Sequence, residues 1–295
     1  MLVDQLKAFH AVVTHGGFER ATASIQLSQP AISIRIKQLE KHLGVDLFNR
    51  VGKRVHLTDA GRIVEEYATR LMILLTEMNE AIDELKGLQR GQLRCGAPTT
   101  IAVHLLPRPL VQFKKKFPNV EIKLLVGSTA EAEKKILADE LDIGLVAGTI
   151  NNPRHFKVFH YLTDEFVLIT PLDHPLAKFH RVSLKQMVNI PLILREKDSL
   201  PRSIIDESFR AAGLSYRCIM EIATSEALKR AVAEGLGCSI VSLCSIGMER
   251  KTGALACVRI SGTPIKREFQ AIIHKDKTIS GPIKPFLGLL NVKIN

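Results

Sequence analysis

The chain has 295 residues, a length that calls for two or three folding units, each large enough to bury a core. Its 46% hydrophobic content includes no run near the roughly 18 apolar residues of a membrane helix, and the start, MLVDQLK, lacks the features of an export signal, so a cytoplasmic location without a membrane partner is expected. The net charge of +11 suggests a polyanionic partner, yet residues 1–90 carry a net of only +1 and residues 91–295 carry +10, so basicity alone does not locate a nucleic-acid site.

Leu2, Leu6, Phe9 and Val13 recur at helical spacing and predict a first helix with one apolar face, stopped by His15-Gly16-Gly17. A short second helix over residues 20–26 and a tight turn at Leu27-Ser28 follow. Ser28 then caps a third helix, with proline tolerated in its first turn because the amide it lacks has no partner there anyway. Ile32, Ile36, Leu39 and Leu43 share one face of this helix, while Pro30, Ser33, Ile34, Lys37 and Lys41 point away from it and Gln29 projects from its start. Two short helices joined by a tight turn, the second presenting polar and basic groups, make a helix-turn-helix suited to the major groove. A solvated surface helix stays open as the plainer reading of this window.

Phe48 to Leu57 reads as a two-stranded turn around Gly52, with Arg50, Lys53 and Arg54 placed as on a wing that meets phosphates or the minor groove. Thr58-Asp59 caps a long helix whose Ala60, Ile63, Tyr67, Leu71, Leu74, Met78, Ala81 and Leu85 form a near-heptad seam. Such a seam needs a partner, and a second copy of the chain is the economical one. Gly87 to Gly91 marks a domain boundary. Beyond it, strands at 93–97, 120–126 and 143–146 alternate with helices reaching to Phe117 and over 130–139, a βαβαβ order that implies a parallel sheet covered by helices. A second α/β set runs from about 166 to 258, and the tail, a strand at 268–274 and a helix at 282–290, returns to the first set.

The runs LSQPAISIRIKQLEKHLGVDLFNR, VHLTDAG (55–61), LPRPLVQFKKKFPNVEI (106–122), DELDIGLVAG (139–148), LDHPLA (172–177) and AVAEGLGCSIVS (231–242) stand in an order that resembles the LysR-type transcriptional regulators over essentially the whole chain. The resemblance implies a multidomain protein: an α-helical winged helix-turn-helix over 1–58, a long linker (dimerisation) helix over 59–90, and an α/β periplasmic-binding-protein-like effector domain over 91–295. Its two lobes would be about 91–162 with 267–295, and about 163–266. Implied partners are double-stranded DNA, a second copy in a homodimer extending to a homotetramer, RNA polymerase and a small effector. The implied DNA contacts are Ser28, Gln29, Pro30, Ser33, Ile34, Arg35 and Lys37 from the third helix, with Arg50, Lys53 and Arg54. Ile34 departs from the polar or basic residue usual after the serine, and could meet a thymine methyl. APTTIAVHLLP (97–107) looks most like the branch holding carbon-fixation and sulfur or nitrogen assimilation regulators.

An effector cleft is expected where predicted parallel strands end. Thr99 and Thr100, Ser128 and Thr129, and Thr149 mark three such ends in the first lobe; Arg195, Ser199, Arg202 and Thr224 mark the second. Hydroxyls, helix-start amides and arginines suit a small anion, and no cofactor is called for. Alternatives are a regulator responding to redox state or to an uncharged metabolite, and an α/β enzyme. The five cysteines and ten histidines show no metal or CxxC spacing, however, and no GxSxG, Walker or HExxH motif is present.

Overall fold

The structure, a computed structural model, describes residues 2–49, 56–85, 91–262 and 264–293. It opens with α1 (Leu2–His15), α2 (Phe18–Ile25) and α3 (Gln29–Leu43), packed around Ala8, Phe9, Val12, Ala21, Ile32, Ile36 and Leu39. The expected face of α1 is rotated: Phe9 is buried but Leu2 is exposed, because the contact centres on Ala8, Phe9 and Val12. The Ser28 hydroxyl accepts from the Ala31 amide at 3.4 Å, and Gly44, at φ 71°, ends α3 in the left-handed region. β1 (Phe48–Asn49) and β2 (His56–Leu57) pair antiparallel as the stem of the expected wing. The turn itself, with Arg50, Lys53 and Arg54, lies outside the described residues.

Next comes α4 (Asp59–Leu85). The Gly61 amide donates to the Thr58 hydroxyl at 2.9 Å, and the Thr58 amide donates to the Leu47 carbonyl at 3.0 Å. A side chain on Gly61 would collide with that same carbonyl, which explains a glycine so early in a helix. Gly61→Ala is therefore expected to cost about 1–3 kcal/mol by overpacking, read as a lower melting temperature of the helical unit. One face of α4 buries Ala68 and Ile73, while Ile63, Tyr67, Leu74 and Met78 are 54–64% exposed. Four members of the predicted seam thus lie open in the protomer; the side chain of Leu85 and the expected boundary at Gly87 lie outside the described residues.

Lobe 1 contains β3 (Gln92–Ala97), α5 (Thr99–His104), α6 (Pro107–Lys116), β4 (Glu121–Val126), α7 (Thr129–Leu137), β5 (Ile143–Ala147) and the start of β6 (Phe156–Thr170). β3 lies between β4 and β5 and is parallel to both. One helix was expected up to Phe117; there are two, because Pro107 starts a new helix after Leu105-Leu106. Lobe 2 follows with β7 (Arg181–Ser183), α8 (Leu184–Met187), β8 (Pro191–Leu194), α9 (Leu200–Ala211), β9 (Arg217–Glu221), α10 (Ser225–Ala233), β10 (Ser239–Ser242), α11 (Gly247–Thr252) and β11 (Ala256–Ser261). The chain returns through β12 (Lys266–His274), antiparallel to β5 and β6, to α12 (Ile283–Leu289). There Phe286 meets Phe113 edge-on in the lobe 1 core, with ring centroids 5.7 Å apart.

The sequence does not reveal the role of β6. Its residues 156–165 pair with β12, whereas residues 166–170 pair with β10 and β11. One strand therefore belongs to both lobes, and with β12 it forms the crossover between them. No helix among the described residues is long and apolar enough to cross a membrane.

Candidate functional site

On the helical unit, Gln29, Ser33 and Lys37 stand four residues apart, so they form one stripe along α3. Gln29, Pro30, Ile34 and Lys37 are exposed and Ser33 and Arg35 half-buried, and the α3 core residues hold this face outward. Ser28 is exposed with its oxygen already used as the cap. Amides at the helix start and donors along its first turns suit phosphates and base edges.

Between the lobes lies a cleft of about 600 Å³. Thr99, Thr100, Ser128, Thr129 and Thr149 line its lobe 1 wall, and Arg195 and Ser199 its lobe 2 wall. These positions converge because β3, β4, β5 and β8 all end there. Their hydroxyls are not equivalent. Thr129 donates to the Ala147 carbonyl at 2.8 Å and accepts from its amide at 3.2 Å, stapling α7 to β5. Ser128 donates from both its amide and its hydroxyl to Glu131, a capping box that already places a carboxylate at the start of α7; those bonds hold the Glu131 carboxyl below its ordinary range. Ser199 caps α9 and donates to the Glu196 carbonyl. Thr99, Thr100 and Thr149 make no side-chain hydrogen bond among the described residues. Arg195 pairs with Glu196 at 2.6 and 2.9 Å, so its charge is partly offset.

Two expected cleft residues lie elsewhere. Arg202 is buried in lobe 2, where it binds Asp206 at 2.9 Å, Tyr216 at 2.8 Å, Glu221 at 3.2 Å and the Arg195 carbonyl at 2.9 Å; it braces α9 rather than facing the cleft. It shares the buried face of α9 with Ile205 and Phe209, at helical spacing, and so turns inward. Thr224 caps α10 through the Ala227 amide and does not line the cleft.

In their place the fold supplies Arg267, the second residue of β12, at the cleft floor. Its Nε donates to Asp164 Oδ2 at 2.9 Å, and Asp164 Oδ1 accepts from Ser242 at 2.8 Å. Its guanidinium lies 5.0 Å from the Phe166 ring and 4.7 Å from the Phe269 ring. The signal for it was in the strand: Arg267 alternates with Phe269, Ala271 and Ile273 on the apolar face, where a cation needs a built environment.

Four cysteines give the redox reading no activated thiolate: burial pushes Cys95 and Cys244 up to about 12 and Cys238 up to about 11, and raises Cys257 as well. No group of three or more potential metal ligands occurs among the described residues.

A helix-turn-helix joined through a long helix to two lobes around a cleft defines a DNA-binding regulator with a small-molecule-binding module. Residues 3–62 match the bacterial regulatory helix-turn-helix protein, lysR family, and residues 86–292 match the LysR substrate binding domain. The chain belongs to the LysR family and is a DNA-binding regulator of transcription, not an enzyme. It is 34% identical over 97% of its length to the HTH-type transcriptional activator CmpR of Synechocystis, covering 93% of that protein. It is 32% identical over 96% of its length to a probable RuBisCO transcriptional regulator of Nostoc, covering 86% of it, so these relatives lie on the carbon-fixation side of the expected branch. Among solved structures, the CcmR regulatory domain of Synechocystis in complex with 2-PG matches 68% of the chain and 96% of that domain, with a TM-score of 0.61 and 27% identity.

Proposed function

We propose that the chain controls its target promoters as a dimer, extending to a tetramer, whose operator binding or bending follows a small anionic effector held between the lobes. The observation that carries the effector reading is the set of free hydroxyls on Thr99, Thr100 and Thr149 facing Arg195 across a cleft of about 600 Å³. Donors on both walls and cations at the rim and floor are complementary to an oxyanion. The CcmR regulatory domain, solved in complex with 2-PG, supports an effector of that class. Each protomer would set the α3 stripe of Gln29, Ser33 and Lys37 in a major groove, with Arg35, Arg50 and Arg54 on phosphates and RNA polymerase as a further partner. The protein would work in the cytoplasm, with the effector as its sole non-protein group. An effector that prefers one lobe arrangement shifts the population toward it, and no covalent step is needed.

The reading is tested by thermal-shift titration with small oxyacids, followed by DNA footprinting with any that stabilise the protein. Thr100→Phe is expected to abolish both the stabilisation and the footprint change while operator affinity stays within about twofold. Loss of operator binding as well would assign Thr100 a structural role instead.

A further inference from the structure

We propose that Arg267 is the specificity-determining residue of this cleft, and that its two terminal nitrogens take an oxyacid group of the effector end-on once the lobes shift enough to uncover Nη2; this rests on the reading of the cleft as the effector site. Arg267 is 7% exposed and lines the cleft floor. Its hydrogen bond within the protein leaves from Nε, to Asp164. Among the described residues, Nη2 is buried with no hydrogen-bond partner and Nη1 makes no hydrogen bond. A buried guanidinium edge without an acceptor costs stability, so a site that keeps one is built for an acceptor that arrives from outside. Phe166 and Phe269, at 5.0 and 4.7 Å, hold the cation in place, so little of its freedom is left for a ligand to restrict.

The guanidinium edge presents two parallel N–H groups, which match two oxygens of one carboxylate or one phosphate. The remaining oxygens of such a ligand would meet the free hydroxyls of Thr99, Thr100 and Thr149. The charge balance explains why geometry, more than net charge, selects here: Arg195 and Arg267 face Glu196 and Asp198 in the lining, with Asp164 behind Arg267. A second consequence follows from the ladder. Arg267 pairs across from Asp164 where β6 passes from one lobe to the other, and Asp164 also holds Ser242 of β10. An oxyacid on this fork therefore touches the strands that both lobes share, which places recognition and the lobe angle on the same side chain.

The test is calorimetric titration of the full-length protein with 2-phosphoglycolate, inorganic phosphate and glycolate, using wild type, R267Q, R267K, D164N and T100F. Wild type is expected to bind at least one of the three; phosphate or glycolate binding alone says which acid group the fork takes. R267Q is expected to weaken binding about tenfold or more, the loss of a charge-assisted pair, and R267K to recover only part of it because an ammonium offers no fork. D164N keeps an oxygen acceptor for Nε but removes the competing charge, and is expected to bind several-fold tighter, with most of that gain lost when D164N is combined with R267Q. If T100F abolishes binding while R267Q and R267K bind within twofold of wild type, Arg267 is not the anchor and the cleft remains the effector site. If T100F also binds like wild type, or wild type binds none of the probes, both readings fall. Circular dichroism melts establish that each variant is folded; should R267Q be unfolded, equal affinity in R267K or no gain in D164N overturns the proposal.

Discussion

Leu74→Glu combined with Met78→Glu is expected to leave a folded monomer whose operator affinity is lower by about 10²–10⁴, the factor gained by tethering two half-site contacts. Both side chains are more than half exposed on α4, in line with Ile63 and Tyr67. That row is apolar and unpartnered within the protomer, and the 27 residues of α4 span roughly 40 Å at about 1.5 Å per residue, long enough for a paired-helix interface. Two carboxylates per protomer in such a seam would meet the apolar row of the second copy and lose their water. Sedimentation velocity gives the oligomeric state and mobility shift the affinity. A double variant that sediments as a dimer and binds its operator normally would show that α4 is not the pairing surface.

Lys277→Met is expected to destabilise the effector domain by about 3–5 kcal/mol, the cost of removing one partner from a buried ion cluster. Lys277 is 1% exposed; its Nζ lies 2.7 Å from Asp142 and 3.2 Å from Asp139, and Arg94 lies 2.6 Å from Asp142. Without the lysine, two carboxylates share one guanidinium in the interior. The same cluster gives a pH dependence of known sign. Burial pushes the Asp142 carboxyl up, but the hydrogen bond from Arg94 and the charge of Lys277 outweigh it, so its value falls below the ordinary 3.8. A depressed carboxyl contributes stability that is complete above its unfolded value and is lost as pH falls through the folded one. Unfolding titrations from pH 5 downward should therefore show the wild type losing stability below about pH 3.8, with a shallower slope in Lys277→Met. Equal melting temperatures for the two proteins at pH 7 would contradict the assignment.

The legible parts of the fold were those written in short spans. Ser28 and Pro30 announce the start of α3, Ile32, Ile36 and Leu39 its buried side, and the α4 seam is found open where spacing put it. The strand ends that line the cleft were also legible, since a hydroxyl after an apolar strand marks a helix start. What those hydroxyls do was not: Thr129 staples β5 and Ser128 serves Glu131, while Thr99 and Thr100 stay free. Arginine identity was read in the wrong places for the same reason. Arg202 stands in a polar stretch and Arg267 on an apolar strand face, but nothing adjacent in sequence says that the first meets Tyr216 or that a cleft lies above the second.

By itself the sequence determined the local units and their order, because helix caps, helical periodicity and apolar strands depend on residues a few positions apart. Only the tertiary structure decided that β6 is shared by two lobes, that Arg202 is a brace, and that Arg267 and Asp164, 103 residues apart, meet beneath the cleft. Such facts depend on the register between distant strands, and register is set by the packing of whole faces against each other rather than by any residue's neighbours.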